Sequence, residues 1–217
     1  MRSRIITSVL AVAALGVAPD LPAQVRVGAL GGAVIATLGG ADANTPGWRT
    51  GLHGSAFVEL PISSFAAIRS GIGWVQKGIE DRIDSDLTGR IELSYVQIPL
   101  LARVTIPSEV GVAAHGLIGP VLSLKSGCQV VLESQQGQTT SVECDSPLLQ
   151  GGVPITASDL GFLVGGGVTL APRSRIGVIL QVAYELGLSS IDDSGLGFDT
   201  KNRAVLFSTG VTISLGR

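Results

Sequence analysis

The stretch from Ile176 to Leu186 alternates without a break. Ile176, Val178, Leu180, Val182, Tyr184 and Leu186 are apolar, and Gly177, Ile179, Gln181, Ala183 and Glu185 stand between them. A period of two is the signature of a strand with two distinct faces, and here one face is wholly apolar. At ~3.3 Å per residue and ~40° of tilt such a strand covers somewhat under 30 Å, which matches the apolar band of a barrel in an outer membrane. Composition points the same way: 45% of the 217 residues are hydrophobic, only 15% are charged and 30 are Gly. A soluble domain carries roughly a quarter charged residues, so something other than water must cover part of this surface. Helical spans are excluded, because no apolar run beyond the N-terminus approaches the ~20 residues that a span needs. Interior Gly, at ~1 kcal/mol each, argues against long helices of any kind.

Residues 1–23 read as a Sec signal peptide and residues 24–217 as the exported domain. Arg2 and Arg4 precede the apolar run from Ile5 to Val17, and cleavage is expected after Ala23. No Cys follows the run, so a lipid-anchored form is not expected. Without Arg2, Arg4 and Asp20, 13 basic and 16 acidic residues remain. A mildly acidic chain with no basic tract excludes nucleic acid as a partner. Cys128 and Cys144 lie in one polar segment of an exported chain and are expected to form a disulfide, worth ~3 kcal/mol by loop closure. A lone Cys pair with no neighbouring His is a poor metal site, and no pattern calls for a cofactor.

Eight strands are expected, at Val25 to Thr37, Gly51 to Leu60, Phe65 to Ile79, Ile91 to Ile106, Val110 to Leu124, Asp159 to Leu170, Arg175 to Leu186 and Arg203 to Leu215. Three connections are tight and contain Pro, near Pro61, Pro107 and Pro172. Four are long: Leu38 to Thr50, Glu80 to Arg90, Lys125 to Ser158 and Gly187 to Asn202. Short turns at one end and long polar loops at the other describe an antiparallel up-and-down transmembrane β-barrel with both termini on the periplasmic side.

The other strands repeat the two-faced pattern. In the second, Leu52, Ala56, Val58 and Leu60 oppose His53, Ser55, Phe57 and Glu59; in the third, Ile68, Ile72 and Trp74 oppose Arg69, Gly71, Gly73 and Lys77. The fourth changes phase, from Ile91, Leu93 and Tyr95 to Val96, Ile98 and Leu100, and a bulge near Tyr95 to Gln97 is expected to explain it, leaving Gln97, Pro99 and Arg103 inward. An eight-stranded interior is just wide enough for side chains. Glu59, Arg69, Lys77, Arg103 and Glu185 are therefore expected to form a lumen network of ion pairs, with His53 and His115 on the same inner rows. A soluble lipocalin-like barrel that binds a ligand is the inverted alternative, but its outer rows would need many more charges than these.

Five motifs occur in order: Trp74-Val75-Gln76-Lys77-Gly78, Leu93-Ser94-Tyr95-Val96-Gln97-Ile98-Pro99-Leu100-Leu101, Gly116-Leu117-Ile118-Gly119-Pro120, Asp159-Leu160-Gly161 and Tyr184-Glu185-Leu186-Gly187-Leu188. In this the chain resembles the outer-membrane β-barrel domain family that includes PorT-like proteins. The resemblance covers essentially the whole exported domain. It implies an eight-stranded barrel in the outer membrane of a Gram-negative bacterium. The chain departs from many barrels in ending Leu215-Gly216-Arg217 rather than on an aromatic residue, and its aromatic girdles are thin.

Chemistry is sparse. His53 and His115, with Ser55 or Glu59, suggest a constellation for hydrolysis of lipid A or phospholipid, set against their simpler role as hydrogen-bonded lumen fillers. Gly165-Gly166-Gly167 precedes no helix and is not a phosphate cradle. Two acidic groups, Glu80, Asp81, Asp84 and Asp86, and Asp192, Asp193 and Asp199, could take Ca²⁺ or bridge to lipopolysaccharide through divalent cations; as solvated loop charge they need no ligand. The expected role is a non-enzymatic one in the envelope: structure, adhesion or contact with an extracellular or envelope protein through the long loops, in a setting of outer-membrane lipid and lipopolysaccharide. A solute pore is disfavoured by the strand count.

Overall fold

A computed structural model describes residues 24–41, 47–84, 86–106, 111–134, 136–147, 153–196 and 198–215. The expected signal segment and the turn at Pro107 lie outside the described residues. Nine strands follow in order: β1 (Val25–Gly39), β2 (Arg49–Pro61), β3 (Ala66–Asp84), β4 (Leu87–Ile106), β5 (Val112–Ser134), β6 (Thr139–Glu143), β7 (Ser158–Leu170), β8 (Ile176–Gly187) and β9 (Lys201–Leu215). The sheet runs β4-β3-β2-β1-β9-β8-β7-β5, every neighbour antiparallel, and β4 also pairs with β5. Eight strands thus close a ring, which leaves no edge unpaired in the membrane. The protein is an all-β transmembrane barrel.

The periodicity sets which face meets lipid. In β8 exposure alternates at every residue. Around the barrel the outward rows carry Leu52, Val58, Ile72, Trp74, Ile98, Leu100, Ile118, Val164, Leu180 and Phe207, all exposed to what surrounds the barrel. The inward rows need small residues where neighbours approach closely. A methyl group on Gly32 would lie 1.9 Å from the Phe207 carbonyl oxygen, and one on Gly28 2.3 Å from the Phe57 ring, which lies over it.

Three expectations are corrected. Glu80 to Arg90 is not a long loop: β3 and β4 continue pairing through Ile79 with Ile91 and Glu80 with Arg90, out to Asp84 and Leu87. Above the bilayer a strand needs no apolar face, so the alternation stops while the ladder does not. Likewise β5 runs to Ser134, and β6, which was not expected, pairs with its far half. β7 pairs with β5 from Val112 to Leu124, and β6 takes the edge that β7 leaves free from Gln129 to Glu133. The described residues therefore form nine strands, eight of them in the ring. Finally, β4 keeps one phase, with Leu93, Tyr95, Gln97, Leu101 and Arg103 all buried. A register shift does fall between Ser94 and Tyr95, but the extra residue is Ser126 on β5. The phase change in the sequence is real, and its cause is that the upper lumen is apolar.

That apolar layer joins Val34, Val75, Leu93, Tyr95, Ile191 and Leu206 near the long-loop end; a second packs Leu101, Leu117, Val121, Leu163 and Ala183 lower down. Polar clusters lie among these layers. The barrel is a packed core rather than a tube.

Candidate functional site

The polar cluster nearest the short turns is built on register. Glu59 of β2 and Arg69 of β3 face each other directly across the ladder, and Arg103 reaches in from β4. Arg69 donates from Nε and Nη2 to Glu59 Oε2 at 3.0 and 2.6 Å, and Arg103 Nη1 donates to Oε1 at 3.1 Å. Both guanidiniums reach across the lumen, Arg69 Nη1 to Gln181 Oε1 at 2.9 Å and Arg103 Nη2 to Thr169 Oγ1 at 3.1 Å. Arg69 also lies 4.2 Å from the centre of the Phe57 ring. All three charged side chains are 3% exposed. A buried charge is tolerated only when paired and hydrogen-bonded, and this cluster meets that condition through one carboxylate shared by two cations.

Higher up, Lys77 Nζ meets Glu185 Oε1 at 2.5 Å, and Gln97 Nε2 lies 3.0 Å from both Glu185 oxygens and from Ser123 Oγ. Tyr95 lies beside this pair, its ring 5.3 Å from the ammonium. A third group joins Asn202 Nδ2 to Asp159 Oδ2 at 2.8 Å and to the Tyr95 hydroxyl at 3.3 Å, with Ser189 Oγ donating to Asp159 Oδ1. The five charged residues expected in the lumen are thus divided between two clusters. Gln181, Thr169, Ser123 and Asn202, which complete the clusters, were not singled out as site residues in the sequence, and Asp159 entered only as part of a motif. Their parity with the charged rows was the available signal, but polar side chains on a lumen row do not reveal which cross-barrel partner they meet.

The histidines are not brought together. His53 Nε2 lies 3.2 Å from both the Phe207 carbonyl and Ser208 Oγ. His115 Nδ1 lies 3.5 Å from Thr169 Oγ1, and its buried Nε2 has no hydrogen-bond partner among the described residues. Neither ring is hydrogen-bonded to a carboxylate among the described residues. An Nε2 that donates to the Phe207 carbonyl has no lone pair left to accept the Ser208 proton.

Outside the barrel, the far halves of β3, β4 and β5 together with β6 form a projecting sheet. A ladder of ion pairs ties its base: Arg49 to Glu92 at 3.1 Å, Glu92 to Arg90 at 3.0 Å and Arg90 to Glu133 at 3.3 Å. Cys128 and Cys144 form a disulfide that clamps β6 to β5. Asp192, Asp193 and Asp199 line one open hollow with Ser190 and Phe198, but no group of three or more side chains placed to hold a metal ion occurs among the described residues. Asp199 pairs with Lys201 at 2.9 Å, and that hydrogen bond holds its carboxyl below the ordinary aspartate value.

The chain is 14% identical to Neisserial surface protein A, with 88% of this chain and 97% of that one aligned at a TM-score of 0.47. It is 11% identical to OprG of Pseudomonas aeruginosa, covering 90% and 97% at 0.45. Against Ail, the attachment invasion locus protein of Yersinia pestis, identity is 12%, coverage 88% and 99%, and TM-score 0.41. No curated protein sequence matches it. Residues 19–193 match the model of the outer membrane protein beta-barrel domain. The chain belongs to that family and is a barrel of the bacterial outer membrane.

Proposed function

We propose that this barrel is a non-enzymatic anchor that presents its projecting sheet to a partner outside the cell, in an adhesive or envelope-organising role. The observation that carries this is the division of labour between the two ends. Within the membrane, ion pairs and two apolar layers fill the lumen. Beyond it, a disulfide and an ion-pair ladder hold four strands rigid, and Trp48, Ile83, Leu196 and Phe198 stay exposed on the long-loop side. Ile83 lies on the stiff sheet itself, and Trp48, Leu196 and Phe198 on the loops before β2 and between β8 and β9; an exposed apolar residue on a stiff polar frame suits recognition, because ordering costs are already met before contact. Outer-membrane lipid and lipopolysaccharide form the surroundings of such an anchor.

The test is to shorten the β5–β6 hairpin, replacing residues 129–143 by a two-residue turn, and to measure attachment of displaying cells to matrix-coated surfaces together with their detergent sensitivity. Loss of either function with the barrel still heat-modifiable on gels supports the reading. Unchanged attachment and unchanged sensitivity overturn it. Turnover of lipid A or phospholipid by refolded protein, abolished by His53→Ala or His115→Ala, would replace it with an enzymatic reading.

A further inference from the structure

The lumen cluster nearest the periplasm is unbalanced. Arg26 stands opposite Glu59 on β1, and Arg69 and Arg103 share the same carboxylate. Arg69 and Arg103 thus occupy both oxygens of the one carboxylate, and Arg26 is a third guanidinium on the same row that forms no ion pair with it. No salt bridge joins any of the three to a second carboxylate among the described residues. Among the described residues, Arg26 makes one long contact, to the Pro172 carbonyl at 3.4 Å. Arg103, 3% exposed, leaves its buried Nε without a partner. Beside them is a cavity of about 270 Å³ at the short-turn mouth of the lumen, lined by Arg26 and Arg103 with the hydroxyls of Ser63, Ser64 and Thr105 and the amide of Gln24. Pro61, Phe65, Ala66 and Ala67 complete the lining, its charged groups are two guanidiniums and Glu59, and both oxygens of that carboxylate are already bonded.

We propose that this mouth is a binding site for a small oxyanion of the phosphate class, open to the periplasm. Two surplus positive charges match one doubly charged oxyanion, and a planar guanidinium is the donor best shaped to take two of its oxygens at once. A water molecule's share of liquid is about 30 Å³, so the cavity holds such an anion with several waters around it. The low dielectric of the barrel wall on every side makes the surplus charge act more strongly here than on the surface. The site is independent of whatever the external sheet contacts, and lies at the opposite end of the barrel.

The experiment is calorimetric titration of the refolded full barrel, in zwitterionic micelles at constant ionic strength, with inorganic phosphate. Saturable binding is expected, and Arg26→Gln should weaken it by about tenfold or more. Arg173→Gln, at an exposed Arg in the β7–β8 turn at the same end, should leave it unchanged. Should Arg26→Gln fail to reach the heat-modifiable form, the wild type still decides the matter: phosphate must raise its unfolding temperature above that in chloride of equal ionic strength. Absence of saturable binding overturns the proposal, as does equal weakening by the two Arg variants. Repeating the titration in phosphatidylcholine vesicles with and without phosphatidylglycerol separates the sources. Competition by the anionic lipid assigns the site to a headgroup phosphate, and undiminished binding assigns it to a free solute.

Discussion

Glu59→Gln should be among the most damaging single substitutions in the barrel. The carboxylate accepts three N–H donors from two guanidiniums that are themselves buried. At about 1.5–3 kcal/mol for each bond to a charged group, the gross loss is about 4.5–9 kcal/mol. Gln keeps one acceptor oxygen and so retains part of this. The net falls to about 3–5 kcal/mol, the usual cost of leaving a buried charge without its partner. Much of that cost comes from Arg69 and Arg103, which would then repel each other with no anion between them. Equilibrium urea unfolding of the refolded protein in micelles, followed by far-ultraviolet circular dichroism, measures it. The double variant Glu59→Gln/Arg103→Gln should recover part of the loss, because it removes one of the unmatched cations. A change below about 1 kcal/mol for the single variant, or strict additivity in the double, would refute the idea that this cluster is an electrostatically coupled unit.

Lys77→Met alone should destabilise by a similar amount, since it strands Glu185 in the lumen, whereas Lys77→Met/Glu185→Leu should be close to neutral in the same unfolding assay. Gly78→Ala should cost about 1–3 kcal/mol and lower the yield of heat-modifiable barrel, because Gly78 has φ of 125° and a methyl there would lie 1.9 Å from the Ile91 carbonyl oxygen. Reduction of Cys128–Cys144 should leave heat-modifiable migration intact while exposing Glu133 and Glu143 to a glutamate-specific protease, as the ~3 kcal/mol of loop closure restrains only the hairpin. For Asp199 the folded carboxyl titrates below the unfolded one, so its pairing with Lys201 contributes above the ordinary aspartate value and is lost as pH falls through the lowered one; carbon NMR of the side chain should show that displaced titration, and Lys201→Met should bring it back toward the ordinary value, leaving the part due to the Ala41 backbone.

The membrane-spanning part was legible in the sequence because the bilayer imposes a rule on every second residue. Ile176 to Leu186 had to present one apolar row, and β8 presents it. Inward parity likewise placed Glu59, Arg69, Lys77, Arg103 and Glu185 in the lumen, since a charged side chain has no other position in a span. The projecting sheet was not legible for the complementary reason. From Glu80 to Asp84 and from Gln129 to Glu143 water lies on both faces, so strand and loop have the same polar composition, and only the ladder between chains distinguishes them. Leu93 and Tyr95 misled in the opposite sense: apolar residues were read as facing lipid, while the upper lumen buries them against Val34, Val75 and Leu206.

From the sequence alone, then, come the class of fold, the compartment, the strands that cross and the parity of the side chains wherever the lumen row is polar. All of these follow from interactions between a residue and its solvent, which depend on local order. Which cation meets which carboxylate was decided only in three dimensions. Arg69 and Gln181, or Lys77 and Glu185, lie more than a hundred residues apart. Their meeting depends on the closure and register of the whole ring. The surplus of guanidinium at the periplasmic mouth is of the same kind, because charge balance in a lumen is a property of neighbours in space.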